Sequence, residues 1–190
     1  MVIKKEARIL GLSAPKVKWD KVPVVGIVFR GSLWLDGVLT CWIRKDQGDY
    51  ISPLARAIRQ SKQYSQIRAV ILSRADLVPG NHIDIAALAD VIGIPVMAIS
   101  DEYRSPRKSQ KPRRAMKTMH YGIKIRGRHT WVKATGISYD MVGEIFGVSC
   151  AEGRSLPEAV RVADVVARSL KSKFYGMHQV TLKRNPQGLA

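Results

Sequence analysis

Two short apolar runs with a helical pattern between them form the most regular stretch of hydrophobic positions in the chain. Residues 68–72 and 96–99 are short and rich in β-branched side chains, as expected of strands buried on both faces. Between them, apolar residues recur at helical spacing at Ile83, Ala86, Ala87 and Ile92. This order predicts a βαβ unit with two parallel strands and a right-handed crossover. Because ligands of such sheets bind beyond the carboxyl ends of the strands, the loop 73–79 is where we expect a site.

Three extended runs precede this unit. The pattern predicts antiparallel strands over 7–12, 22–30 and 32–44, the last two joined as a hairpin at Gly31, with strands 68–72 and 95–99 parallel to the first. Strict alternation along 32–44 places Leu33, Leu35, Leu39, Cys41 and Ile43 on one face and Trp34, Asp36, Val38, Thr40 and Trp42 on the other. We expect both tryptophans to pack against the core or a helix rather than on bases.

Helical patterns occur at three further places. Ser52 and Pro53 are typical of an N-cap and first helical position. A helix over 138–146 is predicted to stop at Gly147. A longer one spans 156–170, with a buried stripe of Ala159, Val162, Ala163, Val166 and Leu170. Runs 121–125 and 129–134 predict another strand pair. The fold class is therefore α/β, with a mixed sheet flanked by helices in a ribonuclease H-like layout.

The length and the charge of the chain limit its possible domain organisation and partners. The chain has 190 residues and 46% apolar residues, which predicts one globular domain over 1–170. Thirty-two Lys and Arg stand against fifteen Asp and Glu, a net charge of +17. Residues 103–133 contain eleven basic side chains and no acidic one. We interpret 103–128 as an inserted basic arm and 171–190 as a basic C-terminal extension, and both favour a polyanionic partner over a solvated face.

The residues predicted to bind nucleic acid are the cations of these segments, together with two aromatic side chains for base stacking. They are Arg104, Arg107, Lys108, Lys111, Arg113, Arg114, Lys117, Tyr121, Lys124, Arg126, Arg128, Trp131, Lys171, Lys173, Lys183 and Arg184.

Other chemistry finds little support in the sequence. Cys41 and Cys150 are interpreted as reduced core thiols, and the four histidines show no metal-ligand spacing. No dinucleotide-binding, P-loop or nucleophile-elbow motif occurs. With neither a signal peptide nor a membrane-length apolar run, we expect a soluble cytoplasmic protein without a small-molecule substrate.

Three stretches carry a resemblance to a known family. VVGIVFRGSLWLDGVL (24–39), GNHIDIAALADVIGIPVMAIS (80–100) and LPEAVRVADVVARSL (156–170) resemble the archaeal endonuclease dU family, a former domain of unknown function related to endonuclease V. The resemblance covers roughly residues 7–100 and 131–170. It implies a ribonuclease H-like, endonuclease V-like fold and, in members with complete motifs, metal-dependent cleavage of nucleic-acid strands.

The chain departs from the family pattern where the chemistry is expected. After the first strand the family usually has paired aspartates, and here Ser13 and Ala14 stand at those places. After the fourth strand it usually reads LDG, and here the chain reads Leu72-Ser73-Arg74. Converging carboxylates hold Mg²⁺ in such enzymes, so we expect no metal and no catalytic residues. If the chain is active, Asp36 and Asp84 are the candidates, although each is equally explained as a turn or helix cap. Ser13, Asp36 and Ser73 are expected to lie near one another.

Two functions follow. The first is a pseudoenzyme: a non-catalytic RNA-binding protein on a degenerate nuclease scaffold, bound to ribosomal RNA and neighbouring ribosomal proteins as a ribosome component or ribosome-associated factor. The alternative is a divergent Mg²⁺-dependent endonuclease that acts on deaminated or damaged nucleic acid.

Overall fold

The sheet has seven strands in the order β3-β2-β1-β4-β5-β7-β6. The computed structural model describes residues 3–17, 19–78, 80–100, 118–125 and 127–183, with side chains up to residue 170. The strands are β1 (Arg8–Ser13), β2 (Lys21–Arg30), β3 (Trp34–Arg44), β4 (Ile67–Leu72), β5 (Val96–Ser100), β6 (Met119–Ile125) and β7 (Arg128–Thr135). The helices are α1 (Ile51–Arg59), α2 (Ile85–Ile92), α3 (Tyr139–Ser149) and α4 (Glu158–Lys183).

Strand directions confirm the predicted fold class. β1 pairs antiparallel with β2, and β2 with β3, through a hairpin in which Gly31 has a φ of 58°. β1 pairs in parallel with β4, and β4 with β5. The carboxyl ends of β1, β4 and β5 therefore lie at one edge of the sheet.

Helices cover both faces of the sheet. On one face, Leu10, Leu12 and Leu72 pack with side chains of α1 and α2 in the larger core cluster. On the other, Ile9 and Ile71 pack with α3, while β2 packs against the alanine stripe of α4, namely Ala159, Ala163 and Ala167. Because neighbouring residues of a strand point to opposite faces, residues 9, 11 and 13 of β1 all face α3 and α4.

Three helix termini differ from the predictions. The first turn of α1 is bonded by Asp49, whose carboxylate accepts from the amides of Ile51 and Ser52, so Ser52 is not the cap. α3 begins at Tyr139, with Ser138 as its N-cap, and continues past Gly147 to Ser149, because a glycine inside a helix weakens it without ending it. α4 continues to Lys183, so the boundary predicted at residue 170 falls inside a helix.

The predicted basic arm divides into two parts. Residues 101–117 lie outside the described residues. Residues 119–125 are β6, which pairs antiparallel with β7 as predicted, so 119–125 and Arg128 belong to the sheet and not to an arm.

A β-bulge at Asp36 changes which side chains share a face of β3. Gly37 pairs with Val28 but Leu35 pairs with Phe29, which leaves Asp36 as the extra residue. Leu35 therefore joins Val38 and Trp42 on the α4 side, whereas strict alternation placed it opposite them. The predicted packing of Trp34 is wrong, since its side chain is 69% exposed, whereas Trp42 is 50% exposed and lines a groove beside α1.

Both cysteines are free thiols, with Cys150 buried and Cys41 half-buried. Burial raises the pKa of Cys41 to about 12. In the described part of the chain, no helix is long and apolar enough to cross a membrane.

Candidate functional site

Two serines meet at the carboxyl ends of β1 and β4. Ser13 ends β1, and Ser73 follows β4 and donates its backbone N–H to the Leu12 carbonyl at 2.8 Å. The Ser73 hydroxyl donates to Ser13 Oγ at 3.0 Å, and Ser13 Oγ donates to Asp164 Oδ1 at 3.2 Å. Ser13 is completely buried. The predicted proximity of Ser13 and Ser73 is thus confirmed, and α4 adds a carboxylate to the pair.

Gly11 is the reason that α4 lies close enough to bring Asp164 to Ser13. A Cβ at Gly11 would lie 2.3 Å from the carbonyl carbon of Ala159, so only glycine permits this contact between strand and helix. From Ala159 to Asp164 the helix rises about 7.5 Å, and from Gly11 to Ser13 the strand rises about 6.7 Å. Because these two rises are nearly equal, Asp164 lies beside Ser13.

Arg74 places a guanidinium just beyond the serine pair. It donates to the Ala14 carbonyl at 2.7 Å and to the Leu77 carbonyl at 3.3 Å, and its side chain is 16% exposed. Burial lowers the pKa of Arg74, an effect opposed by the charges of Asp76 and Asp164. A guanidinium remains protonated at neutral pH, so this end of the sheet carries a fixed, largely desolvated positive charge.

These groups line a cleft of about 540 Å³ between the strand ends and α4. Its charged side chains are Lys16, Arg74, Arg168 and Asp164, three cations against one carboxylate. Arg168 pairs with Asp164 at 3.0 Å across one helical turn. The ammonium and guanidinium groups of this cleft are suited to an oxyanion such as a phosphate group, whereas the protons of the two serine hydroxyls are donated within the protein.

Asp36 lies away from this cleft, so its predicted proximity to the serines is wrong. The register places it level with Ile9 and Leu10 but two strands away from β1, and about 12 Å along the strand direction from Ser13. Its carboxylate accepts from Arg8 Nε at 2.5 Å and Arg30 Nη2 at 2.9 Å. These guanidinium hydrogen bonds, that of Arg8 first, lower the pKa of Asp36 against the opposing effect of burial.

Asp84 acts as the N-cap of α2. Its carboxylate accepts from the amides of Ala86 and Ala87 at 3.0 and 3.1 Å. This confirms the capping interpretation of Asp84.

The donors at the strand ends do not fit a Mg²⁺ site. They comprise one carboxylate, two hydroxyls hydrogen-bonded in series and a neighbouring guanidinium, whereas Mg²⁺ favours charged oxygen ligands in octahedral geometry. Among the described residues, no group of three or more His, Cys, Asp or Glu side chains is placed to hold a metal.

Most of the residues predicted to bind nucleic acid lie outside the part of the chain whose side chains the structure describes. Outside the described residues lie Arg104, Arg107, Lys108, Lys111, Arg113, Arg114, Lys117, Arg126 and Arg184. Lys171, Lys173 and Lys183 belong to α4, beyond the last described side chain.

Four of the predicted residues lie in the β6–β7 hairpin. Lys124 and Arg128 are exposed near its tip. Because Gly122 pairs with Trp131, which pairs with Ser100 at the end of β5, the tip extends about 10 Å beyond the carboxyl edge. The Trp131 ring lies across Gly122.

Tyr121 is engaged inside the protein rather than presented to a base. Its ring meets Tyr139 edge to face at 5.6 Å, and its hydroxyl donates to the Ile137 carbonyl.

Lys16, Asp164 and Arg168 were not predicted as site residues. The helical pattern offered a signal for two of them, because residues 160, 164 and 168 share one face beside the alanine stripe. That pattern does not tell which strand end the face meets.

Similar proteins agree with this fold. The endonuclease dU family model matches residues 5–171. A UPF0215 protein of Methanosarcina barkeri is 33% identical over 183 residues, which cover 88% of this chain and 92% of that protein.

Three solved structures share the architecture. A protein of unknown function from Archaeoglobus fulgidus has a TM-score of 0.68 at 23% identity, covering 86% of this chain and 97% of its own. Endonuclease V from Bacillus subtilis has a TM-score of 0.63 at 14% identity, covering 93% and 86%. Endonuclease V from Ciona intestinalis, solved with a 24mer DNA containing inosine, has a TM-score of 0.58 at 9% identity, covering 88% and 87%. The chain therefore belongs to the endonuclease dU family and has the fold of endonuclease V.

Proposed function

We propose that the protein binds a nucleic-acid strand at the carboxyl edge of the sheet and seats a phosphate in the cleft without metal-assisted cleavage. The contact between Ser13 and Ser73 carries this proposal. Two hydroxyls and the Arg74 guanidinium stand where the family resemblance implies carboxylates. A site of this kind attracts the phosphate itself instead of a cation that would activate water on it.

The charge around the cleft supports a polyanion as the ligand. Lys16 and Arg168 are exposed at its mouth, and the hairpin tip with Lys124 and Arg128 extends beyond the same edge of the sheet. β1 and β6 are four strands apart in the sheet, about 19 Å. A strand of a few nucleotides would span that distance and contact both groups of cations.

A second candidate is the divergent metal-dependent endonuclease. Family membership and the endonuclease V fold favour this function over any role at the ribosome. Asp164 is the carboxylate that the cleft offers, and the phosphate oxygens of the substrate would have to supply further ligands to Mg²⁺. Deaminated strands, such as the inosine-containing DNA bound by the Ciona enzyme, are the substrates to try.

The expected partnership with ribosomal RNA and ribosomal proteins gains no support from the similar proteins. It rested on the segment 103–128, most of which lies outside the described residues. The proposal is therefore restricted to nucleic acid, and RNA and DNA are compared in the test.

The test removes two exposed cations of the cleft. Lys16→Gln with Arg168→Gln should weaken binding of a fluorescent single-stranded oligonucleotide about tenfold in low salt and reduce the salt slope by about 1.4. The matched control is Arg56→Gln with Arg59→Gln, which removes the same charge from α1 on the opposite face. An equal loss in both variants would show that the cleft has no special role.

A further inference from the structure

β3 is an edge strand with an unusually apolar exposed surface. In the part of the chain that the structure describes, β2 is its single neighbouring strand. Nine large hydrophobic side chains are exposed among the described residues, and five lie on β3 or the turn before it: Leu33, Trp34, Leu35, Val38 and Trp42. Long, exposed, apolar edge strands pair with other strands unless charge or proline blocks them. We propose that β3 pairs with β3 of a second copy of this chain, antiparallel about a two-fold axis at Thr40.

The exposed side chains supply enough surface for a dimer. Trp34 and Trp42, at 69% and 50% exposure, present about 300 Å² if a whole ring presents about 250 Å². Leu33, Leu35 and Val38 are 77%, 54% and 60% exposed and add about 200 Å². Val38 and Trp42, the two that lie in the paired segment, supply about 200 Å² of this surface per copy, so two copies would bury about 400 Å² of side chain together with the paired backbone edge, the size of a weak, concentration-dependent dimer.

Charge favours a second copy over nucleic acid at this edge. β3 contains one carboxylate, Asp36, and one cation, Arg44, in a chain with a net charge of +17. Asp36 is paired with Arg8 and Arg30, and Arg44 with Asp46. Arg56 and Lys62 line the groove on the α1 side, and Lys21 and Lys45 lie beside Arg44 at the far end of the strand. Two copies can therefore approach along β3 with little of the repulsion that the rest of the surface would produce.

The register follows from the residues themselves. With Thr40 on the axis, Val38 of each copy lies opposite Trp42 of the other, an aromatic and β-branched pair that stabilises antiparallel sheets. The pairing segment is 38–42, because Gln63 already donates to the Asp36 carbonyl at 2.9 Å and covers the strand before residue 38.

The experiment measures the mass of the full chain by sedimentation equilibrium between about 1 and 100 µM. The wild-type chain should dimerise in this range. Thr40→Lys and Thr40→Asp should each weaken dimerisation at least tenfold, because like charges would meet on the axis. An equimolar mixture of the two variants should restore the dimer. Val165→Lys, which alters an exposed valine on α4, should behave as wild type.

Three results would overturn the proposal. The first is a wild-type chain that stays monomeric throughout the range. The second is a dimer that Thr40→Lys weakens no more than Val165→Lys, or that the mixture fails to restore. The third is a monomer in which Thr40→Asp weakens oligonucleotide binding, which would assign this edge to nucleic acid. Both Thr40 variants should keep the wild-type thermal midpoint, because Thr40 is exposed.

Discussion

The Ser73 hydroxyl lies 3.0 Å from Ser13 Oγ, and the two hydroxyls connect adjacent parallel strands at their carboxyl ends. Ser13 has no exposed surface and Ser73 lines the cleft, so this contact connects the interior to the cleft. Two carboxylates in the same place would repel each other unless a cation lay between them. The serines therefore make this end of the sheet stable without a metal.

Replacing both serines with aspartate should make stability depend on a divalent cation. In EDTA, the variant Ser13→Asp with Ser73→Asp should be less stable than wild type by about 3 kcal/mol, because it buries two like charges. Millimolar Mg²⁺ or Mn²⁺ should recover part of this loss. Urea unfolding with and without the metal measures both effects. The control is Ser13→Asn with Ser73→Asn, and equal metal responses in the two variants would contradict the argument.

Asp164→Asn should strengthen nucleic-acid binding. It removes the carboxylate from the cleft and frees Arg168 from its ion pair, while the amide oxygen can still accept from Ser13. One unit of charge near the surface is worth about 1 kcal/mol, so affinity should rise about fivefold. Anisotropy titration measures this change. The control is Asp140→Asn, which changes an exposed carboxylate in the first turn of α3. Weaker binding would show that Asp164 holds the ligand or a metal.

Gly11→Ala should displace α4 and destabilise the protein by about 3 kcal/mol or more. The new Cβ meets helix backbone at 2.3 Å, and backbone cannot turn away as a flexible side chain can. The matched control is Gly143→Ala in α3, where nothing lies within 4 Å of the added carbon. That change should stabilise the helix by about 0.5 to 1 kcal/mol. Denaturant unfolding compares the two, and similar effects would contradict the close packing of α4 on β1.

Asp36→Asn should reduce stability in a pH-dependent way. The hydrogen bonds from Arg8 and Arg30 lower the pKa of Asp36 in the folded state. Its contribution is therefore complete above the pKa of an unfolded-state aspartate, about 3.9, and is lost as the pH falls through the lower folded-state value. At pH 7 the variant should be less stable by about 2 kcal/mol, and the difference should shrink below about pH 4. A difference that stays constant from pH 7 to pH 2 would show that the ion pairs contribute nothing.

The directions of the first five strands could be predicted because they depend on local signals. The β-branched runs, the glycine at the hairpin and the helix between two buried strands each identify an element, and the right-handed crossover fixes their directions. The meeting of Ser13 and Ser73 follows from the same topology, since adjacent parallel strands end together. Asp164 escaped prediction because its position depends on how α4 lies on β1, and that depends on the contact of Gly11 with Ala159.

Two other differences have local causes that a single sequence does not display. A β-bulge cannot be recognised from hydrophobic alternation alone, because it appears only in the pairing of β3 with β2. The face of Leu35 was therefore predicted incorrectly. Asp49, which caps α1, lies one residue before the helical backbone begins at Tyr50. Ser52-Pro53 resembles an N-cap followed by a first-turn proline, so it predicted a later helix start.

We expect the cleft at the ends of β1 and β4 to bind a phosphate group without metal-dependent cleavage of the nucleic-acid strand. Labelled single-stranded DNA that contains one deoxyuridine or deoxyinosine, and RNA of the same sequence, are each incubated with the full chain. The incubations contain Mg²⁺ or EDTA at matched ionic strength. Binding is measured by anisotropy and strand integrity on a denaturing gel. The account predicts binding at least as tight in EDTA as in Mg²⁺, with the strand intact in both. Mg²⁺-dependent cutting that Asp164→Asn abolishes would contradict it and establish the endonuclease.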